Sequence, residues 1–225
     1  MLSRHCEQML LRQIQHIIDG TDIRLVYDMY ADQYGEIPEH VYEALIPYVD
    51  NIRNGLTKIV FELPDFSGLV VKIPLCGRCD EGEEVPSHKY IKANDYCPWD
   101  YCYTEVITSN IAKNYGLGNL FVPTFYLGKV NNYPIYYSPK VTELYDYSMD
   151  YSDDNLKTAT KLKSNGLWVD MDDSMLALFI KQYGAPVIKR LLKFLKDMRS
   201  GDFHCDNVAY KDGKLVIIDC AGFRG

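Results

Sequence analysis

Apolar residues recur along the chain at two spacings, which divide it into helical and strand-forming segments. Helical spacing predicts a helix over residues 5–19 that stops at Gly20, a second over 22–33, and a third from near Pro38 through Tyr48. From Arg53 onward the pattern is typical of strands, which we predict over 56–63 and 69–74 with a turn at 64–68. The first half of the chain therefore predicts a helical segment followed by a sheet.

The pattern then alternates between helix and strand. Residues 103–115 predict an amphipathic helix with Glu105 on a different face from its apolar stripe, which consists of Tyr103, Ile107, Ile111 and Tyr115. Two strands are predicted over 121–130 and 133–141, joined by Asn131-Asn132. A polar stretch to about Asp173 precedes helices near 175–183 and 188–198.

Near the end of the chain a polar loop leads into a predicted hairpin. Residues 208–210 and 215–219 read as strands joined by a Lys-Asp-Gly-Lys turn at 211–214. Strand pairing would bring Asp202, Asn207 and Asp219 to one end of the hairpin. Two carboxylates and an amide oxygen suit Mg²⁺, which prefers hard oxygen ligands. The alternative is a surface hairpin with ordinary turn carboxylates.

This segment resembles the catalytic loop of the protein-kinase-like superfamily, in the compact form of aminoglycoside phosphotransferases and some phage kinases. There an Asp-x-x-x-x-Asn loop is followed about a dozen residues later by a metal-binding acid on a short strand. The resemblance implies that Asp202 is the catalytic base and that Asn207 and Asp219 are the metal ligands. His204 stands where many small-molecule kinases carry a histidine, so we expect it to contact the γ-phosphate.

The strand over 69–74 is similar to the Val-Ala-Ile-Lys strand of kinases. In that role Lys72 would hold the α- and β-phosphates, and Glu105, 33 residues later, would pair with it. The strands over 121–130 and 133–141 are similar to the last two strands of a kinase small lobe, which implies that residues 142–154 form the hinge. We expect Lys72 and Asp219 to line a solvent-filled cleft. An exposed lysine and a first-turn glutamate favoured by the helix dipole are the alternatives. Of the three glycines of the phosphate-covering loop only Gly55 is in place, with Arg53 and Lys58 at the other two positions, where their charge is a possible substitute.

Composition limits the classes of function. The chain has 225 residues, 47% hydrophobic and 24% charged, and a net charge of −7, which argues against a nucleic-acid partner held by phosphate contacts. It contains no apolar run of the length of a membrane span, and its amino terminus does not read as a signal peptide. We therefore expect a cytoplasmic protein without a membrane partner.

Two close pairs of cysteines lie in an insertion-like stretch over 76–102. Cys76 and Cys79 precede Cys97 and Cys102, and together they predict a possible structural zinc site. The second pair has four intervening residues rather than two, and unligated thiols are the alternative.

Together these features predict an α+β, two-lobed protein-kinase-like fold. We expect a helical extension over 1–50, an antiparallel-sheet lobe over 51–145, and a reduced helical lobe over 146–225 that carries the catalytic loop. The resemblance implies an ATP- and Mg²⁺-dependent kinase whose acceptor is a serine or threonine of a protein. A small-molecule kinase of the aminoglycoside-phosphotransferase type, and a catalytically weak kinase-like binding module, are the alternatives.

Overall fold

The computed structural model describes residues 1–25, 29–31, 39–54, 57–75, 77–78, 100–144, 150–164, 171–198 and 205–219. Over these residues the protein combines six α-helices with mostly antiparallel sheets, which confirms the predicted α+β class. The chain divides into two units. The first comprises Met1–Val106 and Thr124–Lys140, and the second comprises Ile107–Pro123 and Val141–Gly225. Residues 1–50 thus belong to the same unit as the sheet that follows them.

The amino-terminal helices follow the predicted pattern in part. Helix α1 (Arg4–Asp19) begins after Ser3, whose hydroxyl accepts a hydrogen bond from the Cys6 amide, and ends at Gly20 as predicted. Helix α2 (Glu39–Leu45) continues as a 3₁₀ turn (Ile46–Tyr48). The predicted helix over 22–33 is wrong at its described ends. Residues 22–24 are irregular and Leu25 is helical, whereas Tyr30–Ala31 form a short strand β1 that pairs in parallel with β5 (Gly77–Arg78).

The main sheet of the first unit has five strands in the order β2-β3-β4-β7-β6, all antiparallel. Its strands are β2 (Asn51–Asn54), β3 (Lys58–Glu62), β4 (Leu69–Pro74), β6 (Phe125–Val130) and β7 (Tyr133–Pro139). The last two are joined by Asn131 and Asn132, both at positive φ, a conformation that asparagine tolerates in tight hairpin turns. The sequence thus predicted β4 and the β6–β7 hairpin correctly.

One face of this sheet is covered by α1. The buried side of the helix and the sheet residues Ile59, Phe61, Val71 and Ile73 share one hydrophobic core. Gly128 in β6 allows the close approach, because a Cβ atom there would lie 2.7 Å from Leu11 Cδ2. Burial of the apolar face of α1 is therefore what makes the amino-terminal segment part of the sheet unit.

Helix α3 (Tyr101–Asn114) buries the opposite side from its apolar stripe. Tyr103, Ile107 and Tyr115 are 49%, 37% and 56% exposed, whereas Glu105 is only 3% exposed. Other residues on the buried side are Cys102, Thr108, Ser109 and Ala112. The helix boundaries agree with the prediction to within two residues. Glu105 faces inward because two lysines and a threonine hydroxyl on that side contact its carboxylate.

The second unit is built on three helices, α4 (Asp153–Ser164), α5 (Asp173–Tyr183) and α6 (Ala185–Asp197). Helix α4 falls in the polar stretch that precedes Asp173, where no helix was predicted. It carries few apolar residues and depends on contacts with its neighbour, including a hydrogen bond from Thr160 to Asp173 at 2.5 Å. Helices α5 and α6 agree with the two predicted helices, and each buries several apolar residues.

A small antiparallel sheet completes the second unit. It consists of β8 (Thr142–Glu143), β9 (Val208–Lys211) and β10 (Lys214–Ile217), in the order β10-β9-β8. Residues 142–143, predicted to be part of a hinge, form its edge strand. The β9–β10 turn places Asp212 and Gly213 at positive φ, as the Asp-Gly pair predicts. In the described part of the chain, no helix is both long enough and apolar enough to cross a membrane.

Candidate functional site

Lys72 lies in the middle of β4, between Val60 of β3 and Tyr136 of β7. Its neighbours Val71 and Ile73 point into the core shared with α1, and Lys72 therefore points to the other face of the sheet. The residue is only 6% exposed. The expectation that its side chain lines a solvent-filled cleft is wrong for this structure, because helix α3 supplies partners that bury it.

Glu105 is the partner that was predicted for Lys72. Lys72 Nζ lies 2.6 Å from Glu105 Oε2, and both side chains are at least 93% buried. The start of α3 is fixed by Asp100, which accepts a hydrogen bond from the Tyr103 amide at 2.9 Å and from the Tyr136 hydroxyl at 2.6 Å. Tyr136 and Lys72 are paired across β7 and β4 and project from the same face of the sheet. This face therefore holds both the start of α3 and the ion pair.

A second lysine, which the sequence analysis did not assign to this pair, contacts the same carboxylate. Lys58 Nζ lies 2.8 Å from Glu105 Oε1, and the Lys58 side chain is 8% exposed. The register explains its position. Val60 is opposite Lys72, and Lys58, two residues before Val60, projects from the same face of the sheet. The alternation of side chains along β3 could have predicted that Lys58 shares a face with Lys72, but only if the pairing of β3 with β4 had been known.

Two buried hydroxyl groups extend the cluster. Thr124 Oγ1 donates to Glu105 Oε2 at 2.5 Å and accepts from Lys72 Nζ at 3.2 Å. Because a hydroxyl has a single hydrogen, which Thr124 gives to the carboxylate, Ser138 must be the donor in its 2.9 Å contact with Thr124. Neither hydroxyl was predicted. The sequence feature that could have identified them is that each is a polar residue within an otherwise apolar stretch. We call Lys58, Lys72, Glu105, Thr124 and Ser138 the lysine–glutamate cluster.

Electrostatics in this cluster favour the ionised carboxylate. Burial by itself raises the pKa of Glu105, but the positive charges of Lys58 and Lys72 outweigh it and lower the pKa to about 2. Glu105 therefore stays charged at every physiological pH. The arrangement can hold two ammonium groups side by side in fixed positions.

The predicted metal ligands lie on the small sheet of the second unit. The Asn207 carbonyl accepts a hydrogen bond from the Ile218 amide at 3.0 Å, which places Asn207 across from the residue before Asp219. Helix α5 anchors the hairpin, because the Tyr183 hydroxyl donates to the Leu215 carbonyl at 2.6 Å. Asn207 is buried and Asp219 is half-buried. The pairing thus brings both residues to one end of the hairpin, as predicted.

The amide and carboxylate oxygens of Asn207 and Asp219 fit Mg²⁺, which commonly takes one or two protein ligands and completes its shell with phosphate and water. Within the described ranges, no group of three or more histidine, cysteine or acidic residues could hold a metal ion. Asp202, His204 and Gly55 lie outside the described residues, so their predicted roles stay predictions.

The zinc site stays a prediction as well, since Cys76, Cys79 and Cys97 lie outside the described residues. Cys102 is fully buried in α3. Burial, reinforced by the charge of Glu105, raises the pKa of the Cys102 thiol well above its usual value. This environment opposes the thiolate form that zinc requires.

Comparison of the chain with protein-family models, with curated proteins and with solved structures found no match.

Proposed function

We propose that the protein is an ATP- and Mg²⁺-dependent phosphotransferase with a protein-kinase-like fold. The observation that carries this proposal is the 2.6 Å ion pair between Lys72 of β4 and Glu105 of α3. The two residues were selected from the sequence for these roles, and they are far apart along the chain. A buried lysine held in place by a glutamate is a fixed positive charge suited to a phosphate chain.

Two further observations support the proposal. The first unit has a five-stranded antiparallel sheet, and α3 follows β4 and its insertion in the order that the kinase resemblance implies. In the second unit, Asn207 and Asp219 lie together at the end of a hairpin. Each unit therefore carries one of the two groups of residues that phosphoryl transfer from ATP requires.

In this proposal each residue has a distinct role. Lys72, oriented by Glu105, binds the α- and β-phosphates, and Asn207 and Asp219 hold Mg²⁺. Mg²⁺, when bound, neutralises charge on the phosphate oxygens. Asp202 orients the acceptor hydroxyl and receives its proton, while His204 contacts the γ-phosphate. Rate acceleration would come mainly from positioning and from fixed charges.

The proposed acceptor is a serine or threonine of a protein, with a small hydroxylated molecule as the alternative. Acidic residues between 150 and 173 would attract a basic protein surface, but several of them have local partners. Lys181 binds Asp150 at 2.6 Å, and Lys163 lies 3.0 Å from Asp173. Asp172 caps α5. These contacts neutralise part of the acidic surface, and the experiment below distinguishes the two classes of acceptor.

The test is transfer of label from γ-³²P-ATP in the presence of Mg²⁺, with a cell lysate in one arm and a panel of aminoglycosides and sugars in the other. Asp219→Asn should abolish transfer. Asp197→Asn, which removes an exposed carboxylate from α6 of the same unit, should not. Label confined to small molecules would overturn the protein acceptor. ATP binding without any transfer would favour the catalytically weak binding module, and absence of ATP binding would overturn the proposal.

A further inference from the structure

Lys58 is the first residue of β3, which pairs with β2 in antiparallel. Its side chain is 92% buried and projects from the same sheet face as Lys72. This buried position distinguishes Lys58 from Arg53, the other cation of the hairpin, which lies on the edge strand β2 and is exposed. Burial therefore favours Lys58 over Arg53 as a phosphate-binding cation, a choice that the sequence alone did not make.

Lys58 and Lys72 contact different oxygens of one carboxylate, at 2.8 and 2.6 Å. The two ammonium groups are neighbours, held on either side of Glu105. The two lysines share one carboxylate, so these three charges sum to +1, and an anion that contacts both lysines would neutralise the remaining charge. Lysine is suited to such a role, because its ammonium group is a point charge with three donors and no acceptor.

The glycine pattern of the hairpin adds a second argument. A glycine-rich turn binds phosphate through close approach of backbone N–H groups, which requires the absence of side chains. Here a lysine occupies the first position of β3, and its side chain is directed to the face that carries Lys72. A side-chain ammonium group can supply the contact that the backbone of a glycine would make.

We propose that Lys58 is a second phosphate-binding residue, which contacts the phosphate chain of a nucleoside di- or triphosphate together with Lys72. This inference rests on the proposed function. Glu105 then positions both cations, and the affinity of the site depends on the number of phosphates in the ligand. Adenosine has no phosphate, so Lys58 does not contribute to its binding affinity.

The experiment compares binding of ATP, ADP and adenosine to the full chain by isothermal titration calorimetry, with wild type, Lys58→Met, Lys58→Arg and Lys140→Met. Lys58→Met should weaken ATP and ADP binding by about tenfold or more, as expected for loss of a hydrogen bond to a charged group. Adenosine binding should be unchanged. Lys140→Met removes one positive charge from the same unit, at a lysine that pairs with Glu62 at the surface, and should bind all three ligands like wild type. Lys58→Arg should retain most of the affinity.

A second measurement uses the wild-type protein, so it does not depend on a variant that folds. An acyl-phosphate derivative of ATP acylates amines beside its phosphate chain, and mass spectrometry identifies the modified lysines. Labelling of both Lys58 and Lys72, suppressed by excess ADP, supports the proposal. Unlabelled Lys58 beside labelled Lys72, or Lys58→Met that binds ATP like wild type, overturns it while the proposed function stands. A wild type that binds neither ATP nor ADP overturns both.

Discussion

The hydroxyl group of Thr124 donates a hydrogen bond to Glu105 Oε2 at 2.5 Å, beside the 2.6 Å contact of that oxygen with Lys72. Thr124 precedes β6, whereas Glu105 lies on α3, so this bond joins the sheet to the helix. It holds the carboxylate in one orientation and leaves Oε1 to Lys58. The orientation of Glu105 in turn sets the positions of both lysines.

Thr124→Val keeps the shape of the side chain but removes the hydroxyl. It should lower the free energy of unfolding by about 1–3 kcal/mol, because a buried carboxylate oxygen loses a donor and Ser138 loses its acceptor. Thr124→Ser retains the hydroxyl and serves as the control. Denaturant unfolding measures both, and equal stability of the valine and serine variants would show that the hydrogen bond contributes nothing.

Glu105→Gln should be the most destabilising single substitution in the lysine–glutamate cluster. It removes the charged partner shared by Lys58 and Lys72, and breaking a buried ion pair from one side typically costs about 3–5 kcal/mol. Glu43→Gln, on the exposed side of α2, is the matched control and should change stability by less than about 0.5 kcal/mol. The prediction is wrong if the two variants unfold at the same denaturant concentration.

The stability of the protein should depend on pH through Glu105. Its pKa is lowered to about 2 in the folded protein, whereas a glutamate in an unfolded chain has a pKa of about 4.3. A lowered pKa stabilises the fold fully above the unfolded value, and this contribution is lost as pH falls from about 4.3 towards 2. The expected loss is on the order of 3 kcal/mol.

Unfolding free energies of wild type and Glu105→Gln, measured between pH 6 and pH 2.5, test this dependence. The difference between the two proteins should shrink as the pH falls, since protonation makes the wild-type side chain neutral like glutamine. A difference that stays constant over this range would mean that the charge of Glu105 does not stabilise the fold.

Lys72→Met should reduce phosphoryl transfer by at least about 10²-fold, which is typical for loss of a preorganised charge. The fold should persist, because Lys58 still pairs with Glu105 at 2.8 Å. Lys140→Met removes a half-exposed lysine that pairs with Glu62 at the surface of the same unit, and it should leave the rate unchanged. Label transfer gives the rate, and circular dichroism verifies the fold. Full activity of Lys72→Met would exclude Lys72 from phosphate binding.

Much of the local structure follows from the order of residues alone. Helix α1, strand β4 and the two hairpin turns agree with prediction because each depends on neighbours in sequence, namely a capping residue, an alternating strand or a residue that tolerates positive φ. The pairing of Lys72 with Glu105 was also predicted, although it spans 33 residues. That prediction came from the kinase resemblance rather than from periodicity.

Other features depend on partners that are remote in sequence. Strand β1 forms by pairing with β5, and polar helix α4 is stabilised by contacts with α5, so local propensity indicated neither correctly. Helix α3 shows the same effect in its orientation. Periodicity alone would bury its tyrosines, but the tertiary structure buries Glu105 instead, because an ion pair with two lysines is available only on that side.

The sequence by itself determined the ends of α1 and the turns of the β6–β7 and β9–β10 hairpins, because capping and turn chemistry are properties of the chain. Its resemblance to kinases indicated which lysine and glutamate to pair. Only the tertiary structure decided that Lys58 shares Glu105 with Lys72 and that Thr124 and Ser138 complete the cluster. These contacts depend on the register of β3 against β4 and on the packing of α3 beneath the sheet. The register and the helix packing cannot be deduced from any single segment, because each depends on contacts between residues far apart in sequence. Such contacts bury a charged side chain only where an oppositely charged partner is available.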